Sequence, residues 1–465
     1  MRIFDVSVKD LKFGDRLVPL CYFYNQEVAK EHSQKGIEHV RLGDYAVISD
    51  GEHSAIPRRK EIGIRYLYGR NIKEGIIDFD PISDDPYISE TDYDEFNRCH
   101  IKQDDVLIAI YGTVGKSAVY KEEYVGSAGI PRHISNITVQ KNAPFSPEYL
   151  TAFFRSKFGK WQMQSVMTGN IQQLLSLKNL REFEIPLASS DIIERLTDIE
   201  KEAVNCEVEA SRLLKEAQEL FYEGLKVDLS SIRRDLAFSV KFSELNESGI
   251  WTAAYYDKLY VKIADAITAN NKMVTLRDLV DVATGDEVGS DNYNEYIERS
   301  SDDKPFIRTS DIVNNEVDLY PDYYLSESVI EGLEQDVKPG DVVFTKDGKI
   351  GCTGMIVEAD DVVISSGLAK LRLQKKGIAK LLTQEYLFMA LSTPEVGRFA
   401  AMRRTVVAST IPHLRIERLK DIEVPIEDEI FVEKITEKVK KAYALKSKRK
   451  SLLKSSENIL DNYFL

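Results

Sequence analysis

Three stretches of this chain bring together residue types that elsewhere do chemistry. Gly115-Lys116-Ser117 has the ending of a phosphate-binding loop. Such a loop needs a further glycine five positions upstream, so that successive backbone N–H groups wrap a phosphate. Position 110 is Ile. Asp85-Pro86-Tyr87 has the outline of the [DNS]-P-P-[YFW] signature of amino-methyltransferases, without its second proline and with no glycine-rich loop ahead of it. Pro321-Asp322 followed by Asp336-Val337-Lys338 mimics the metal-holding acids of a PD-(D/E)-x-K nuclease. The histidines His32, His39, His53, His100, His133 and His413 show neither HxxxH nor HExxH spacing. Cys21, Cys99, Cys206 and Cys352 make no CxxC pair. These motifs support neither nucleotide nor methyl-donor binding, and no metal site is expected.

A duplication positions these residues. Val40, Leu42, Asp44, Ile48 and Gly51 match Val274, Leu276, Asp278, Val282 and Gly285. YLYGRNI (66–72) parallels FIRTSDI (306–312), and Ile77-Asp78-Phe79 parallels Val317-Asp318-Leu319. IKQDDVLIAIYGTVGK (101–116) parallels VKPGDVVFTKDGKIGC (337–352), with Asp105 on Asp341, Gly112 on Gly348 and Gly115 on Gly351. Glu148-Tyr149-Leu150 falls on Glu385-Tyr386-Leu387, and LREFEIPL (180–187) on LKDIEVPI (419–426). A repeat this long reads as domain duplication rather than a solenoid. The second copy has Gly351-Cys352-Thr353 where the first has Gly115-Lys116-Ser117. The glycines stay and the lysine goes, so a turn explains them better than a phosphate. His100 stands in the place of Asp336, so the acid pair is not kept either.

Each copy has one grammar: Tyr-rich charged segments, an apolar strand (VLIAI or VVFT) ending in a G-x-x-G turn, a helix around EYL, and a strand ending in Ile-Pro-Leu or Val-Pro-Ile. The fold class expected is α/β (α+β): two mixed α/β domains with largely antiparallel, twisted sheets. After each proline comes a long segment without Gly or Pro in its periodic part. In the first, Ile192, Leu196, Ile199, Ala203, Cys206, Ala210, Leu213, Ala217 and Leu220 recur at alternating steps of four and three, a heptad seam. The second gives Phe431, Ile435, Lys438, Ala442, Leu445, Arg449, Leu452, Ser456 and Ile459, with three polar members. Residues 189–225 carry ten acids against four bases, and residues 432–454 nine bases against two acids. Opposite charge favours pairing of the two helices with each other. The domains expected are 1–187, a helix over 188–226, 227–426, and a helix over 427–465. Two similar halves with paired helices imply a pseudo-two-fold axis and an antiparallel coiled coil. A helix over 189–225 is about 55 Å long, a scale on which two domains straddle a linear polymer. Two modules on one face of duplex DNA sit a helical turn, about 34 Å, or more apart.

The 465 residues carry 62 Lys and Arg against 76 Asp and Glu, a net charge of −14. By itself that opposes phosphate binding. The excess is local: residues 73–105 hold eleven acids against three bases, and 281–303 eight against one. The opening MRIFDVSVKDLKFGD has no apolar signal region, and no stretch approaches a membrane span, so the cytoplasm is expected.

In this order of motifs the chain resembles the specificity (S) subunits of type I restriction-modification systems. The resemblance rests on the strand-to-GxxG turns, the EYL helices and the I-P-L and V-P-I strands, each occurring twice. Tyr255-Tyr256-Asp257 resembles the opening of a recognition domain in some members; Tyr22-Phe23-Tyr24 has departed from it. The resemblance implies two target-recognition domains, each reading half of a bipartite site on double-stranded DNA. It also implies helices that dock two adenine-N6 methyltransferase subunits, with a restriction/translocase subunit as a further partner. S-adenosylmethionine, ATP and Mg would belong to those partners.

Base edges are read by Arg, Lys, Asn and Gln, and phosphates by Lys, Arg, Ser, Thr and backbone N–H. Near the motifs, the first-half candidates are Arg70, Asn71, Tyr111, Thr113, Lys116, Arg132, His133, Asn170, Gln172 and Gln173. In the second half they are Arg308, Thr309, Lys346, Lys349, Arg403, Arg404 and Thr405. Tyr111 against Asp347, and Thr113 against Lys349, predict unlike half-sites and an asymmetric target. The competing reading is an acidic interaction scaffold or DNA mimic that inhibits DNA enzymes.

Overall fold

A computed structural model describes residues 22–24, 28–59, 63–79, 86–168, 173–235, 237–296, 300, 302–408 and 411–464. The chain divides into two compact units, Met1–Val208 with Lys448–Leu465, and Glu209–Ser447. The expected boundaries at 187, 226 and 426 lie beside helix ends, whereas the two units divide within the helices.

In the first unit the central sheet runs Ala46–Asp50, Ile134–Val139, Val106–Ala109, Ser117–Val119, each neighbour antiparallel. Val106–Ala109 is buried at all four positions, which is why it reads as an apolar run without alternation. The helix Pro147–Arg155 covers it. Ser146 accepts from the Tyr149 N–H at 3.1 Å and Pro147 starts the first turn, so the cap and the helix start are built locally. The buried Tyr149 hydroxyl donates to the Pro186 carbonyl at 2.7 Å. Pro186 ends the strand Glu184–Pro186, which pairs antiparallel with His39–Arg41. With a single partner strand, that ladder tolerates a proline.

The second unit repeats this plan. Its sheet runs Val280–Thr284, Leu368–Leu373, Val342–Thr345, Thr353–Met355. Thr383 caps the helix Gln384–Ser392 through the Tyr386 N–H. The Tyr386 hydroxyl donates to the Pro425 carbonyl at 3.0 Å, and Glu423–Ile426 pairs with Lys272–Thr275. The EYL and Pro-strand motifs are therefore the two ends of one hydrogen bond, made twice. Asp105 and Asp341 recur for a similar reason: each accepts a backbone N–H three residues back, from Lys102 at 2.9 Å and Lys338 at 2.8 Å.

The long helices are Ser190–Leu225 and Glu429–Phe464. In each unit their segments run antiparallel. In the first, the Ser189 N–H meets the Tyr463 hydroxyl, Glu202 pairs with Lys448 at 2.5 Å and Glu207 with Arg449 at 3.2 Å, and Leu196 shares a core with Leu460 and Phe464. In the second, Glu216 pairs with Lys438 at 2.6 Å and Ala210 and Leu213 pack with Ala442 and Leu445. Two of the polar seam members, Lys438 and Arg449, are thus held by acids of the other helix. The seam itself needs a correction. Leu196, Ala203, Leu213, Ile435 and Ala442 are buried, but Ile192, Ile199, Leu220, Phe431, Leu445, Leu452 and Ile459 are only half-buried. On the last helix the deepest positions include Val432, Val439, Lys446, Leu453 and Leu460. The segments of each helix also pack into the core of the unit they belong to, so the buried face is wider than a two-position seam. The extra contacts include buried ion pairs: Arg155 with Glu200 and Lys160 with Glu74 in the first unit, and Lys446 with Glu316 in the second. No described helix is long and apolar enough to cross a membrane.

Candidate nucleic-acid interface

In the first unit the strand Val106–Ala109 runs into the turn 111–116. Gly112 and Gly115 have φ of 76° and 91°. A Cβ on Gly115 would stand 2.6 Å from the Met163 sulfur. The turn closes through Gly115 N–H to Ala109 O at 2.9 Å and Ala109 N–H to Lys116 O at 3.0 Å. Positive φ at both glycines, and close packing at Gly115, account for them without a bound phosphate. Three other segments border the turn. The Thr113 hydroxyl reaches the Gly69 carbonyl at 3.3 Å, the Ile110 N–H the His133 carbonyl at 3.0 Å, and the Leu175 N–H the Ile110 carbonyl at 3.1 Å.

Basic and aromatic side chains cluster on these segments. Arg70 is exposed, its guanidinium 4.5 Å from the Tyr68 ring centroid. Arg58 sits 3.9 Å from the same centroid and 4.2 Å from that of Tyr66. Tyr111 is exposed and meets His133 edge to face at 5.4 Å. Arg132 is exposed, and Lys116 and Thr113 are half-buried. Partial desolvation, then the Arg132 and Arg58 guanidiniums, hold the His133 imidazole below its usual value. It is therefore neutral at pH 7 and offers one donor and one acceptor. Cations stacked on rings beside an exposed Tyr can contact phosphates and stack on or hydrogen-bond to base edges. Arg58 was missed because it lies ahead of the aligned segments, and Tyr68 was passed over within YLYGRNI beside Arg70. The Arg58-Arg59 pair was the available signal.

Asn71 does not face solvent. It is buried, its Oδ1 accepting from the Tyr68 N–H at 2.6 Å and its Nδ2 donating to the Asp78 carbonyl at 2.7 Å. Asp311 takes the same post in the second unit, accepting from the Arg308 N–H at 2.8 Å. Both cap a short 3-10 turn, so Asn71 holds the loop that carries Arg70 instead of reading a base. Asn170 and Gln172 lie outside the described residues; Gln173 is exposed.

The second unit keeps the frame and changes the side chains. Gly348 and Gly351 have φ of 66° and 86°. The hairpin Val406–Ala408/Ile411–His413 borders the turn through Gly348 N–H to Pro412 O at 2.9 Å and Leu414 N–H to Lys346 O at 2.7 Å. Lys346 lies 2.6 Å from Asp347, and His413 lies 2.8 Å from the other oxygen of Asp347. Arg308 is half-buried, 4.2 Å from the Tyr323 centroid and 3.8 Å from both Asp311 and Asp322. Thr309 and Lys349 are half-buried nearby, Lys349 reaching the Ile312 carbonyl. Cations on this face thus meet carboxylates, with Arg308 also over the Tyr323 ring, where those of the first unit meet rings.

Arg403, Arg404 and Thr405 are corrected. They end the helix Arg398–Arg404 rather than lining an open loop. Arg403 donates to the Tyr255 carbonyl at 3.1 Å and lies 5.1 Å from its ring, so part of the Tyr255-Tyr256-Asp257 motif is a seat for this arginine. Arg404 donates to Ala400 O; burial and then Arg403 push its guanidinium below its usual value. Thr405 is buried and donates to Ala401 O at 2.8 Å.

Residues 269–452 match the family model described as the type I restriction modification DNA specificity domain. Among solved structures, the chain is similar to a type I restriction-modification system S subunit from M. genitalium. Identity is 13% over 92% of this chain and 96% of that one, with a TM-score of 0.38. It is also similar to an HsdS subunit from Thermoanaerobacter tengcongensis, at 18% identity, the same coverage and a TM-score of 0.27. A type I R-M system structure follows at 16% identity over 92% and 97%, with a TM-score of 0.28. No curated protein matches the chain.

Proposed function

We propose that this chain, whose residues 269–452 belong to the type I restriction-modification DNA specificity domain family, is a non-catalytic specificity subunit that reads a bipartite duplex site with one face in each unit. One observation carries the reading. The same frame, a GxxG turn bordered by a capped loop and the segment before the Pro strand, occurs in both units with unlike side chains: Arg70, Tyr111, Arg132 and His133 in one, Arg308, Lys346, Asp347 and His413 in the other. A repeated frame with changed surface residues suits two readers of two sequences. The long helices would dock adenine-N6 methyltransferase subunits, which would use S-adenosylmethionine and flip out the target base. A restriction subunit using ATP and Mg would be a further partner.

The test is co-expression of the full chain with active methyltransferase subunits, followed by mapping of methylated adenines. A new, bipartite and asymmetric motif is expected. No methylation with an active partner, together with no duplex binding in that complex, would overturn the proposal in favour of an acidic scaffold. A palindromic motif would overturn the asymmetry.

A further inference from the structure

Lys346, Asp347 and His413 form a polar triad whose counterparts in the first unit are Ile110, Tyr111 and Leu174. The correspondence is set by the backbone. Leu414 N–H bonds the Lys346 carbonyl as Leu175 N–H bonds that of Ile110, and Asp347 bridges His413 as Tyr111 bridges Leu174. The first unit keeps this frame with none of the three side chains, so the fold does not require them. The triad is nonetheless held firmly. Backbone bonds to Pro412 and Leu414 flank Asp347, its Oδ1 lies 2.8 Å from His413 Nδ1, and its Oδ2 lies 2.6 Å from Lys346 Nζ. The side chains of Lys346, Asp347 and His413 remain 15%, 22% and 46% exposed.

We infer that Lys346 and Asp347 together read one G·C pair through its major-groove edge, with His413 orienting the carboxylate. This rests on the proposed function. A lysine ammonium has three donors and a carboxylate about four acceptor positions, so each retains capacity after their mutual contact. Guanine O6 and cytosine N4–H are hydrogen-bonded to each other, about 3 Å apart. That spacing matches the donor and acceptor set side by side by Lys346 and Asp347. Lysine suits guanine O6 and N7, and aspartate suits the cytosine amino group. A T·A pair also offers an acceptor and a donor there, thymine O4 and adenine N6–H, but it sets the thymine methyl where guanine N7 would accept a second lysine donor, so the preference rests on that contact.

The experiment uses the full chain assembled with its methyltransferase subunits. Duplexes bound from a randomised pool are sequenced, and methylated adenines are mapped beside them. The wild-type motif is expected to contain a required G·C pair that D347N loses, by about tenfold or more in preference. The amide favours adenine at that position. K346Q is expected to relax the same position, and Y111A a position in the other half. The binding selection reads specificity even where a variant no longer methylates. A wild-type motif retained at every position by D347N, or D347N and K346Q acting on different positions, would overturn this inference while leaving the proposed function intact. A wild-type complex that neither selects nor methylates any duplex would overturn both.

Discussion

The Lys446–Glu316 pair ties the last helix to the hairpin Ile312–Val317, whose first strand leaves the loop carrying Arg308 and Thr309. The charges are 3.1 Å apart, with 1% and 0% of their side chains exposed. At an effective dielectric of about 20, their attraction is about 5 kcal/mol. Desolvation of both charges offsets much of this, so the pair adds little net stability relative to apolar neighbours. Breaking it is a different matter, because one buried charge then loses an oppositely charged partner. Lys446→Met is expected to cost about 3–5 kcal/mol. Glu316→Gln should cost a similar amount, and the double variant clearly less than the sum. Hydrogen exchange at the Ile312–Val317 amides in the full chain reads the effect where it arises. Single variants costing under about 1 kcal/mol, or an additive double variant, would refute the reasoning.

Tyr149→Phe and Tyr386→Phe each strand a proline carbonyl in the core, so each is expected to cost about 1–3 kcal/mol in urea unfolding. Within one turn, Gly351→Ala should destabilise more than Gly348→Ala: a Cβ on Gly351 meets Arg398 Cα at 2.9 Å, while Gly348 has nothing nearer than 3.9 Å. Gly348→Ala bears mainly the left-handed penalty, about 1–2 kcal/mol, and thermal unfolding of the two variants orders them. His32 is almost fully buried beside His39, Phe158 and Phe464, and burial, then His39, lower its pKa to about 4. The unfolded chain binds that proton near 6.5, so stability is present above about 6.5 and is lost as pH falls towards 4. His32→Gln should flatten that part of the melting-temperature profile; an unchanged slope would remove His32 as its cause.

Much of the fold was legible because the chain states it twice. A lone EYL or I-P-L says little, but their recurrence marked Tyr149, Pro186, Tyr386 and Pro425, which the structure joins by matching hydrogen bonds. The GxxG turns were legible because positive φ has a residue signature. The helix seam was only partly legible: periodicity finds an apolar stripe but not a second packing partner, so Val439 and Lys446 were passed over for Lys438 and Leu445. The interface was least legible. Whether Asn71 caps a loop or reads a base depends on the Tyr68 N–H beside it, and no spacing rule contains that. Likewise His413 lies 66 residues from Asp347, and only the hairpin pairing brings them together.

The net charge of −14 looks different once its acids are placed. Glu74, Glu200, Glu207 and Glu316 are buried against Lys160, Arg155, Arg449 and Lys446. Each pair is neutral at a distance, so these acids contribute little field at either face, and neither do the cations they hold. Asp105 and Asp341 are buried as caps. What remains outside includes Glu90, Asp94 and Glu95 in the first unit and Glu287, Asp291 and Glu295 in the second, all exposed. None of these belongs to the segments that border the GxxG turns. Surface charges beyond a Debye length, about 10 Å at 0.1 M salt, are largely screened from a ligand. Short-range contacts by Arg70, Arg132 and Lys346 are not screened in that way. For the proposed DNA reader, the acid excess would therefore weaken long-range attraction of the duplex without neutralising the contacts that choose sequence. Under the proposed function, affinity would then depend on phosphate contacts supplied by a partner, while sequence choice would stay with these faces.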